Sequence, residues 1–449
     1  MKDLIVIGAG TAGMTAARKC AAADWDVAMV DERPYGGTCA LRGCDPKKIL
    51  RRAAEIVDAA RLMRGKGVDE GSLSIDWAEL MAHKRDWTER MPEQVESGLE
   101  TMGVKTLHGR ARFRDAQTLE LEDGSHHQAR RFLIATGAKP RPLDVPSAGL
   151  LLDSTGFLDL EALPRRILFA GGGYISFEFA HLAARAGAEV TIINRGDRVL
   201  KAFDPDLVDL LVERSRAVGI GIETGTELAE IQRSGEVFRV TTRRGETETQ
   251  ADYDLVVHGA GRVAAVDHLD LEAAGVAADA AGVAVRPDLR STSCDHVWAA
   301  GDAAATEARP LTPVAAIEGK VAASNMLKER ETVPDYTGIP SAVFTIPELV
   351  RVGLSEAEAR EQVDNLRVAY SDTSGWFSNL RVGETCAAAK ILIDEDSDRI
   401  VGAHLVGPEY AELANFFGLS LKVGLTTRDL KAVTSAYPTV GSDLGSLLG

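Results

Sequence analysis

Short apolar runs, each followed by glycines and then by an alanine-rich stretch, occur twice in the first half of the chain. The runs have the length of buried strands, the glycines permit tight turns, and the alanine-rich stretches are typical of helices. The predicted elements are Leu4–Ile7, a helix to about Ala23 and Val27–Val30, then Arg166–Phe169, a helix to about Ala186 and Glu189–Ile193. Two such strand–helix–strand units, far apart in the chain, predict two dinucleotide-binding domains.

The other segments complete the predicted architecture. Lys47–Met63 and Trp77–Met102 have helical periodicity, and Gly103–Leu133 alternates like short antiparallel strands. The remaining predictions are a hairpin in Thr226–Gln250, buried strands in Leu133–Ala138, Asp254–Arg262 and Val297–Asp302, and, after Pro334, strands near residues 341–346, 367–370, 387–393 and 400–406. The predicted fold class is α/β, with two Rossmann-like dinucleotide-binding domains and a C-terminal α+β domain suited to an interface role.

Composition and charge restrict the class of function. A length of 449 residues suits about three domains. The formal net charge of −16 argues against a nucleic-acid partner, which needs a basic face for phosphates. No run of about 18 apolar residues predicts a membrane span, and the first strand begins at once, so we expect no cleavable signal. Five cysteines do not make a secreted disulfide framework, and we therefore expect a cytoplasmic location.

The first glycine motif, Gly8-x-Gly10-x-x-Gly13, is typical of a dinucleotide site. Its glycines permit a tight turn and a close approach of pyrophosphate to a helix N-terminus, whose free N–H groups and dipole favour anions. A glycine turn between strand and helix can also be purely structural. Here the strand, the helix and a terminal acid, Asp31, 18 residues after Gly13, are all in place, which favours nucleotide binding.

The second glycine motif, Gly171-x-Gly173-x-x-Ser176, has serine in place of the last small residue. The strand that follows it ends at Asn194, where an acid would accept hydrogen bonds from both ribose hydroxyls of NAD. Three cations come next: Arg195, Arg198 and Lys201. Cations without an acid favour a 2′-phosphate, so this segment predicts NADPH in preference to NADH. A solvated basic loop is the alternative interpretation.

Cys39 and Cys44 are separated by four residues and can close a small ring. Placement at a helix N-terminus, with lysines at 47 and 48, would lower a thiol pKa toward reactivity, whereas Asp45 opposes this effect. Asp45-Pro46 also has the pattern of an N-cap followed by the first helical residue. The alternatives are half of a zinc site or two inert thiols, but the other three cysteines are scattered singly and supply no second ligand pair. The pattern favours a redox-active pair, and we predict no metal site.

In combination these motifs resemble the flavoprotein disulfide reductases, a family that includes glutathione reductase, dihydrolipoamide dehydrogenase and mercuric reductase. The resemblance covers essentially the whole chain. Besides the first glycine motif and the cysteine pair, it rests on Ala135-Thr136-Gly137, Gly173-Tyr174-Ile175-x-x-Glu178, Gly261-Arg262, Ala300-Gly301-Asp302, Leu311–Ala315 and Phe344-Thr345-x-Pro347-Glu348. It implies that the first dinucleotide is FAD and the second the nicotinamide cofactor, an assignment that spacing alone leaves open.

The resemblance also implies roles for individual residues. Cys44 resembles the flavin-facing thiol that forms a charge-transfer thiolate, and Cys39 resembles the interchange thiol that attacks substrate. Lys47 and Glu178 resemble the ion pair beside flavin N5, and Tyr174 resembles the ring that covers the flavin until nicotinamide displaces it.

The cofactor residues and domain boundaries follow from the same resemblance. The residues expected at FAD are Gly8, Gly10, Gly13, Asp31, Thr38, Cys39, Lys47, Ala111, Ala135, Thr136, Gly137, Asp302, Leu311 and Thr312. Those expected at NADP are Gly171, Gly173, Tyr174, Ile175, Glu178, Asn194, Arg195, Arg198, Lys201 and Gly261. We expect residues 1–146 and 262–333 to bind FAD, 147–261 to bind NAD(P), and 334–449 to form a dimerisation domain that completes the partner's active site.

One departure from the family affects catalysis. The family's C-terminal motif is His-Pro-Thr-x-x-Glu, in which the His is a proton shuttle, but here Tyr437 replaces the His and Ser442 the Glu. A phenol with a pKa of about 10 is a poor base at neutral pH, although it can donate a proton. Mercuric reductase resembles this chain in having a tyrosine there, but the segment 444–449 lacks its vicinal cysteine pair. The resemblance also implies a cis Tyr437–Pro438 bond.

The sequence thus predicts a homodimeric, FAD-dependent oxidoreductase that prefers NADPH and reduces a small thiol-reactive acceptor, a disulfide or a metal ion, through Cys39 and Cys44. Two alternatives remain open. One is a reductase of quinones or dioxygen at the level of the flavin, and the other is a non-catalytic, redox-sensing flavoprotein.

Overall fold

The computed structural model describes all residues, 1–449, and the chain divides into two compact units. The first unit comprises Met1–Ile49, Ala82–Arg141 and Gly261–Tyr336, and the second comprises Leu50–Met81, Pro142–Ala260 and Thr337–Gly449. None of the helices combines the length and the apolar composition that crossing a membrane requires.

The strands are numbered along the whole chain. They begin with β1 (Lys2–Ile7), β2 (Val27–Asp31), β3 (Lys105–His108), β4 (Ala111–Asp115), β5 (Thr118–Leu121), β6 (His126–Ile134), β7 (Ala138–Pro140), β8 (Arg166–Ala170), β9 (Glu189–Asn194), β10 (Ile220–Thr224), β11 (Glu227–Ser234) and β12 (Val237–Arg244). They continue with β13 (Thr247–Tyr253), β14 (Leu255–His258), β15 (Arg262–Ala264), β16 (Ala278–Asp279), β17 (Gly282–Ala284), β18 (Val297–Ala299), β19 (Ala304–Ala305), β20 (Ser341–Val343), β21 (Glu348–Gly353), β22 (Leu366–Asp372), β23 (Ala388–Asp394) and β24 (Arg399–Gly407).

The α-helices are numbered in the same way. They are α1 (Thr11–Ala21), α2 (Gly37–Arg42), α3 (Cys44–Leu62), α4 (Trp77–Thr88), α5 (Met91–Thr101), α6 (Ser154–Phe157), α7 (Tyr174–Arg185), α8 (Pro205–Ala217), α9 (Thr312–Lys328), α10 (Glu356–Gln362), α11 (Phe377–Leu380), α12 (Tyr410–Val423) and α13 (Thr427–Lys431).

The first unit is built on a seven-stranded sheet in the order β3-β2-β1-β6-β5-β4, with β18 also paired to β6. Strands β3, β2, β1, β6 and β18 are parallel, so their carboxyl ends share one edge, where nucleotide ligands bind in such sheets. Small residues let α1 and α9 approach closely on one face, because a Cβ at Gly319 would lie 2.2 Å from the carbonyl oxygen of Ala12. The sheet therefore sits between two packed apolar layers.

The second unit contains three sheets. A parallel sheet has the order β10-β9-β8-β14, a three-stranded antiparallel sheet has the order β11-β12-β13, and a five-stranded antiparallel sheet has the order β20-β21-β24-β23-β22. Helix α7 is buried along most of its length and shares one apolar core with strands β8 and β9 and with residues of β20 and β21. Helix α12 and the C-terminal turns cover the five-stranded sheet in a second core.

The structure confirms the two predicted strand–helix–strand units, corrects three local predictions and contains strands that were not predicted, β21 among them. The single helix predicted over Trp77–Met102 is two helices, because Pro92 lies in the first turn of α5 and disfavours a continuous helix through the residues before it. Within Gly103–Leu133, β3 pairs in parallel with β2, and only β4, β5 and the start of β6 are antiparallel. The predicted hairpin gains a third strand, β13. Strand β21 was not predicted, since burial on both faces removes the alternation that marks a strand.

Candidate active site

The first glycine motif forms an open helix N-terminus at the edge of the parallel sheet. Gly8 has φ of +108°, and a Cβ there would lie 2.3 Å from the carbonyl oxygen of Ala135; a Cβ at Gly13 would lie 2.1 Å from the carbonyl oxygen of Gly8. At Gly10, the N-cap of α1, no side chain caps the helix and a Cβ would meet nothing within 4 Å. Gly8 and Gly13 are thus required by packing, whereas Gly10 leaves room for a phosphate.

Asp31 lies at the end of β2 and holds this turn. Its carboxylate accepts hydrogen bonds from the backbone N–H groups of Ala9 (2.7 Å) and Arg33 (2.8 Å). Burial raises its pKa, although both hydrogen bonds oppose the shift. A carboxylate has about four acceptor positions, so Asp31 can still accept from a ribose hydroxyl.

Polar groups on neighbouring strands face the same edge. The Thr136 hydroxyl, after β6, is buried without a hydrogen-bond partner, as expected for a group that a ligand satisfies. Asp302 follows β18; burial raises its pKa and Arg262 lowers it. Of the other predicted FAD residues, Thr38 lies in α2, Ala111 is buried at the start of β4, and Leu311 is the N-cap of α9. An orphaned hydroxyl, an open helix N-terminus and two acids fit a dinucleotide such as FAD.

Glu318 supports this edge and was not found from the sequence. Its carboxylate accepts from the backbone N–H of Gly301 (2.6 Å) and from the hydroxyls of Thr306 (3.0 Å) and Tyr336 (2.7 Å). The side chain is fully buried, and burial raises its pKa. An acid on the buried face of α9 was the available signal, because a buried carboxylate needs several donors.

The two cysteines lie at successive helix starts. Cys39 is in α2, Cys44 is the first residue of α3, and both are thiols that form no disulfide. A hydrogen bond with Cys44, then burial, raises the pKa of Cys39, and Asp45 adds to the shift. The prediction of a lowered thiol pKa is therefore wrong for Cys39, whereas the opposing effect of Asp45 is confirmed. Because α3 begins at Cys44, Asp45 lies inside the first turn and is not the N-cap.

Thr312, at the start of α9, connects the cysteine pair to the next element. Its hydroxyl oxygen is 3.6 Å from Cys44 Sγ, and its hydrogen bond to Cys39 lowers the pKa of that thiol. Lys47 lies one turn after Cys44 in α3 and is partly buried. The arrangement holds two thiols in contact beside a hydroxyl, which suits reversible exchange between dithiol and disulfide.

The second glycine motif repeats this design in the second unit. Gly171 has φ of +112°, and a Cβ there would lie 2.5 Å from the carbonyl oxygen of Gly259. Gly173 is the N-cap of α7, again without a side-chain cap. Ser176 fits in place of a third glycine because it faces Gly259, where a Cβ would lie 1.9 Å from the serine hydroxyl.

Asn194 organises the segment that follows β9. Its side-chain oxygen accepts from the backbone N–H of Gly172 (3.1 Å), and its amide donates to the carbonyl oxygens of Gly196 (2.9 Å) and Arg198 (3.0 Å). We call residues 195–204 the coenzyme loop. Asn194 is thus engaged with the protein backbone, and it fixes the start of this loop.

The three cations of the coenzyme loop are exposed but differ in their partners. Arg198 lies 3.5 Å from Asp209 and Lys201 lies 4.0 Å from Asp197, whereas Arg195 makes no ion pair. Of the other predicted NADP residues, Tyr174 and Ile175 open α7, Glu178 in α7 accepts from the backbone N–H of Phe344 (2.8 Å), and Gly261 belongs to the first unit.

The C-terminal departure lies on the surface of the second unit. The Tyr437 side chain is exposed, and the Tyr437–Pro438 bond is cis, which confirms the prediction from the resemblance. The Ser442 hydroxyl donates to the carbonyl oxygen of Thr439 (2.6 Å) and accepts from its N–H (3.3 Å), so Ser442 closes a local turn. No cluster of three or more His, Cys, Asp or Glu side chains is arranged to hold a metal ion.

The chain matches two family domains over most of its length. Residues 2–319 match the pyridine nucleotide-disulphide oxidoreductase domain, and residues 339–447 match the dimerisation domain of the same proteins.

Enzymes named for different substrates have nearly the same sequence identity to the chain. Glutathione reductase of Burkholderia cepacia is 32% identical over 445 residues, which cover 99% of this chain and 98% of that protein. Mercuric reductase of Bacillus cereus is 30% identical over 98% of this chain and 70% of that protein, and dihydrolipoyl dehydrogenase of Chlamydia muridarum is 30% identical over 98% and 94%. Among solved structures, the HOCl-induced flavoprotein disulfide reductase RclA from Escherichia coli superposes with a TM-score of 0.89 at 26% identity, covering 99% of each chain.

Proposed function

The chain belongs to the pyridine nucleotide-disulphide oxidoreductases, which are FAD-dependent enzymes that use a pyridine nucleotide, and on that premise we propose that it is an NADPH-dependent reductase of a thiol-reactive acceptor. The proposal includes a homodimer, since residues 339–447 form the family's dimerisation domain. The roles that the resemblance implies for Lys47, Glu178 and Tyr437 are part of it.

The contact between Cys39 and Cys44 is the observation that carries this proposal. With a disulfide acceptor, a Cys39 thiolate would attack one sulfur of the acceptor, break its S–S bond and release one thiol. Cys44 would then displace the second thiol and close the Cys39–Cys44 disulfide, so that two electrons and two protons pass to the acceptor. FAD, when bound, supplies the two-electron link between the nicotinamide hydride and this disulfide.

The protein contributes binding and electrostatics to this cycle. The open N-terminus of α1 and the acids Asp31 and Asp302 would hold the FAD, and the N-terminus of α7 with the coenzyme loop would hold NADPH. The raised pKa of Cys39 favours the thiol in the resting dithiol, and the Thr312 hydroxyl favours the thiolate when it forms.

Steady-state oxidation of NADPH under anaerobic conditions tests the proposal, with glutathione disulfide, lipoamide, Hg(II), Cu(II) and a quinone as acceptors. The purified enzyme should turn over with at least one disulfide or metal-ion acceptor, and Cys39→Ser/Cys44→Ser should abolish that turnover. Quinone turnover that survives the double replacement, without disulfide or metal turnover in the parent, would favour chemistry at the level of the flavin. A single reduction with no turnover on any acceptor would indicate a redox sensor.

A further inference from the structure

The coenzyme loop is fixed at both ends by contacts with different parts of the second unit. At its start, Asn194 holds the loop backbone, and the N–H of Leu200 donates to the carbonyl oxygen of Gly172 (2.9 Å). Leu200 is buried with φ of +46°, a conformation that its surroundings must impose. The start of the loop is thus held by the glycine motif itself.

The end of the loop is held by Arg351 on β21. This guanidinium is buried and donates to the carbonyl oxygens of Ala202 (2.7 Å) and Gly353 (2.8 Å). Because its donors form a rigid planar fork, Arg351 fixes the direction of the Ala202 carbonyl as well as its distance.

Lys390 on β23 holds the junction between the loop and α8. Its ammonium group is 3% exposed and donates to Asp204 (2.8 Å), Asp206 (2.6 Å) and Glu356 (2.9 Å). Burial lowers the pKa of Lys390, but hydrogen bonds with the three carboxylates more than offset this, so the residue is charged. Asp204 is also the N-cap of α8, and Lys390 therefore fixes the point at which the loop becomes a helix.

Strand register places these cations in one row. His404 on β24 is the cross-strand neighbour of both Arg351 and Lys390, so the three side chains share one face of the five-stranded sheet. His404 bonds the carbonyl oxygen of Leu354 (2.9 Å). The sheet thus presents two fixed cations, separated by one residue, to the end of the coenzyme loop.

We propose that Arg351 and Lys390 are positioning residues for coenzyme specificity: they fix residues 202–206 so that Arg195, Arg198 and Lys201 converge on a 2′-phosphate. The inference rests on the proposed preference for NADPH. Three exposed cations on long side chains discriminate poorly unless their backbone is fixed before the ligand binds, because ordering the loop would otherwise oppose binding. Buried anchors from the sheet provide that order without touching the coenzyme.

Binding of two nucleotide fragments to the FAD-loaded enzyme tests this inference without turnover. Isothermal titration calorimetry would compare adenosine 2′,5′-bisphosphate with adenosine 5′-monophosphate, which lacks the 2′-phosphate. The variants are Arg351→Lys, which keeps the charge but loses the planar fork, and Asp204→Asn/Lys390→Met, which removes a buried ion pair and keeps a good N-cap. Arg166→Gln is the matched control. It breaks the Arg166–Asp254 ion pair at the amino ends of β8 and β14, whereas the coenzyme loop follows the carboxyl end of β9 in the same parallel sheet.

We expect both variants to weaken binding of the bisphosphate by about tenfold, which corresponds to the loss of roughly one charge-assisted contact. The affinity for the monophosphate should change by less than about twofold. Arg166→Gln should change the affinity for neither fragment. If the parent prefers the bisphosphate but the variants bind both fragments equally more weakly, or bind neither more weakly, the positioning role alone would be overturned. A parent that binds the two fragments equally would overturn this inference together with the proposed NADPH preference.

Discussion

Arg195 differs from the other two cations of the coenzyme loop because it makes no ion pair with the protein. Arg198 and Lys201 each have an aspartate nearby, which competes with an incoming phosphate. Arg195 is therefore the cation whose charge is most available to a ligand, and its contribution to specificity should be the largest of the three.

Arg195→Glu should shift the preference from NADPH toward NADH by at least about tenfold in catalytic efficiency. A charge-assisted contact contributes about 1.5–3 kcal/mol, and the new carboxylate would repel the 2′-phosphate. The ratio of kcat/KM values for the two coenzymes is the measurement. Arg244→Glu, an equal change of charge on the exposed end of β12, is the control. Equal efficiency with both coenzymes in the parent would contradict the assignment.

The two cysteines should have different spectroscopic signatures. Two-electron reduction of the yellow enzyme should produce a long-wavelength charge-transfer band that depends on the Cys44 thiolate. Cys44→Ser should abolish the band, and Cys39→Ser should show it without reduction, because Cys44 then has no partner for a disulfide. Anaerobic absorbance titration is the measurement. A band that persists in Cys44→Ser and disappears in Cys39→Ser would reverse the two roles.

At the scale of elements, β24 contains a buried titratable group between two cations, Arg351 and Lys390. His404 is buried, and burial lowers its pKa to about 4, with Arg351 and Lys390 adding to the shift and Asp204 and the Leu354 carbonyl opposing it. The folded protein therefore resists protonation of His404, whereas the unfolded chain protonates at an ordinary histidine pKa of about 6.5. The free energy of unfolding that the neutral ring contributes is fully present above about pH 6.5 and is lost as the pH decreases toward 4.

Urea unfolding should reveal this dependence on pH. Between about pH 8 and about pH 5, the parent should lose about 2 kcal/mol more unfolding free energy than His404→Gln, whose amide lies nearest the position of Nε2 and can donate to Leu354 but does not titrate. His126→Asn, at an exposed histidine, should behave as the parent. Parallel pH dependences for the parent and His404→Gln would show that His404 is protonated equally in the folded and unfolded states.

At the scale of the whole molecule, α12 carries an exposed apolar stripe. Phe416, Leu419 and Val423 are spaced by three and four residues on one face, in the segment that matches the dimerisation domain. Leu419→Asp should convert a dimer into a monomer, because a charge at the centre of an apolar interface is left unpaired. Analytical ultracentrifugation is the measurement, with Val333→Asp, at another exposed apolar residue, as the control. A monomeric parent would contradict the proposal of a homodimer.

The C-terminal segment should determine which acceptor the enzyme prefers. Without a histidine base, deprotonation of an incoming dithiol should be slow near neutral pH, so oxidation of dihydrolipoamide should be the weakest activity. Tyr437→His/Ser442→Glu should raise turnover with glutathione disulfide or lipoamide by at least about tenfold, because general base catalysis contributes about 10²–10⁴-fold. Ser442→Glu alone is the control. High lipoamide activity in the parent would show that the tyrosine does not limit the reaction.

Local patterns in the sequence predicted the strand–helix–strand units, since glycines required by close backbone contacts, such as Gly8 and Gly171, leave a signal at fixed spacing. Contacts between residues distant in sequence left no such signal. Arg351, Lys390 and Glu318 became visible only when strand register and helix packing placed them beside their partners. Strand β21 was missed for a related reason, because burial by tertiary neighbours removed the alternation on which strand prediction depends.

Asp31 and Asn194 make the same hydrogen bond at equivalent positions, since each side-chain oxygen accepts from the N–H of the second residue in its glycine motif. An acid at position 194 would keep this hydrogen bond and would disfavour a 2′-phosphate, but it would lose the two hydrogen bonds that the Asn194 amide donates to the carbonyl oxygens of Gly196 and Arg198. Aspartate and asparagine codons differ by a single base. In a lineage with this fold, that single base change would consequently alter the coenzyme loop and the charge at the ribose together, and Arg195, Arg198 and Lys201 would remain, so a complete change of coenzyme requires further substitutions in the loop.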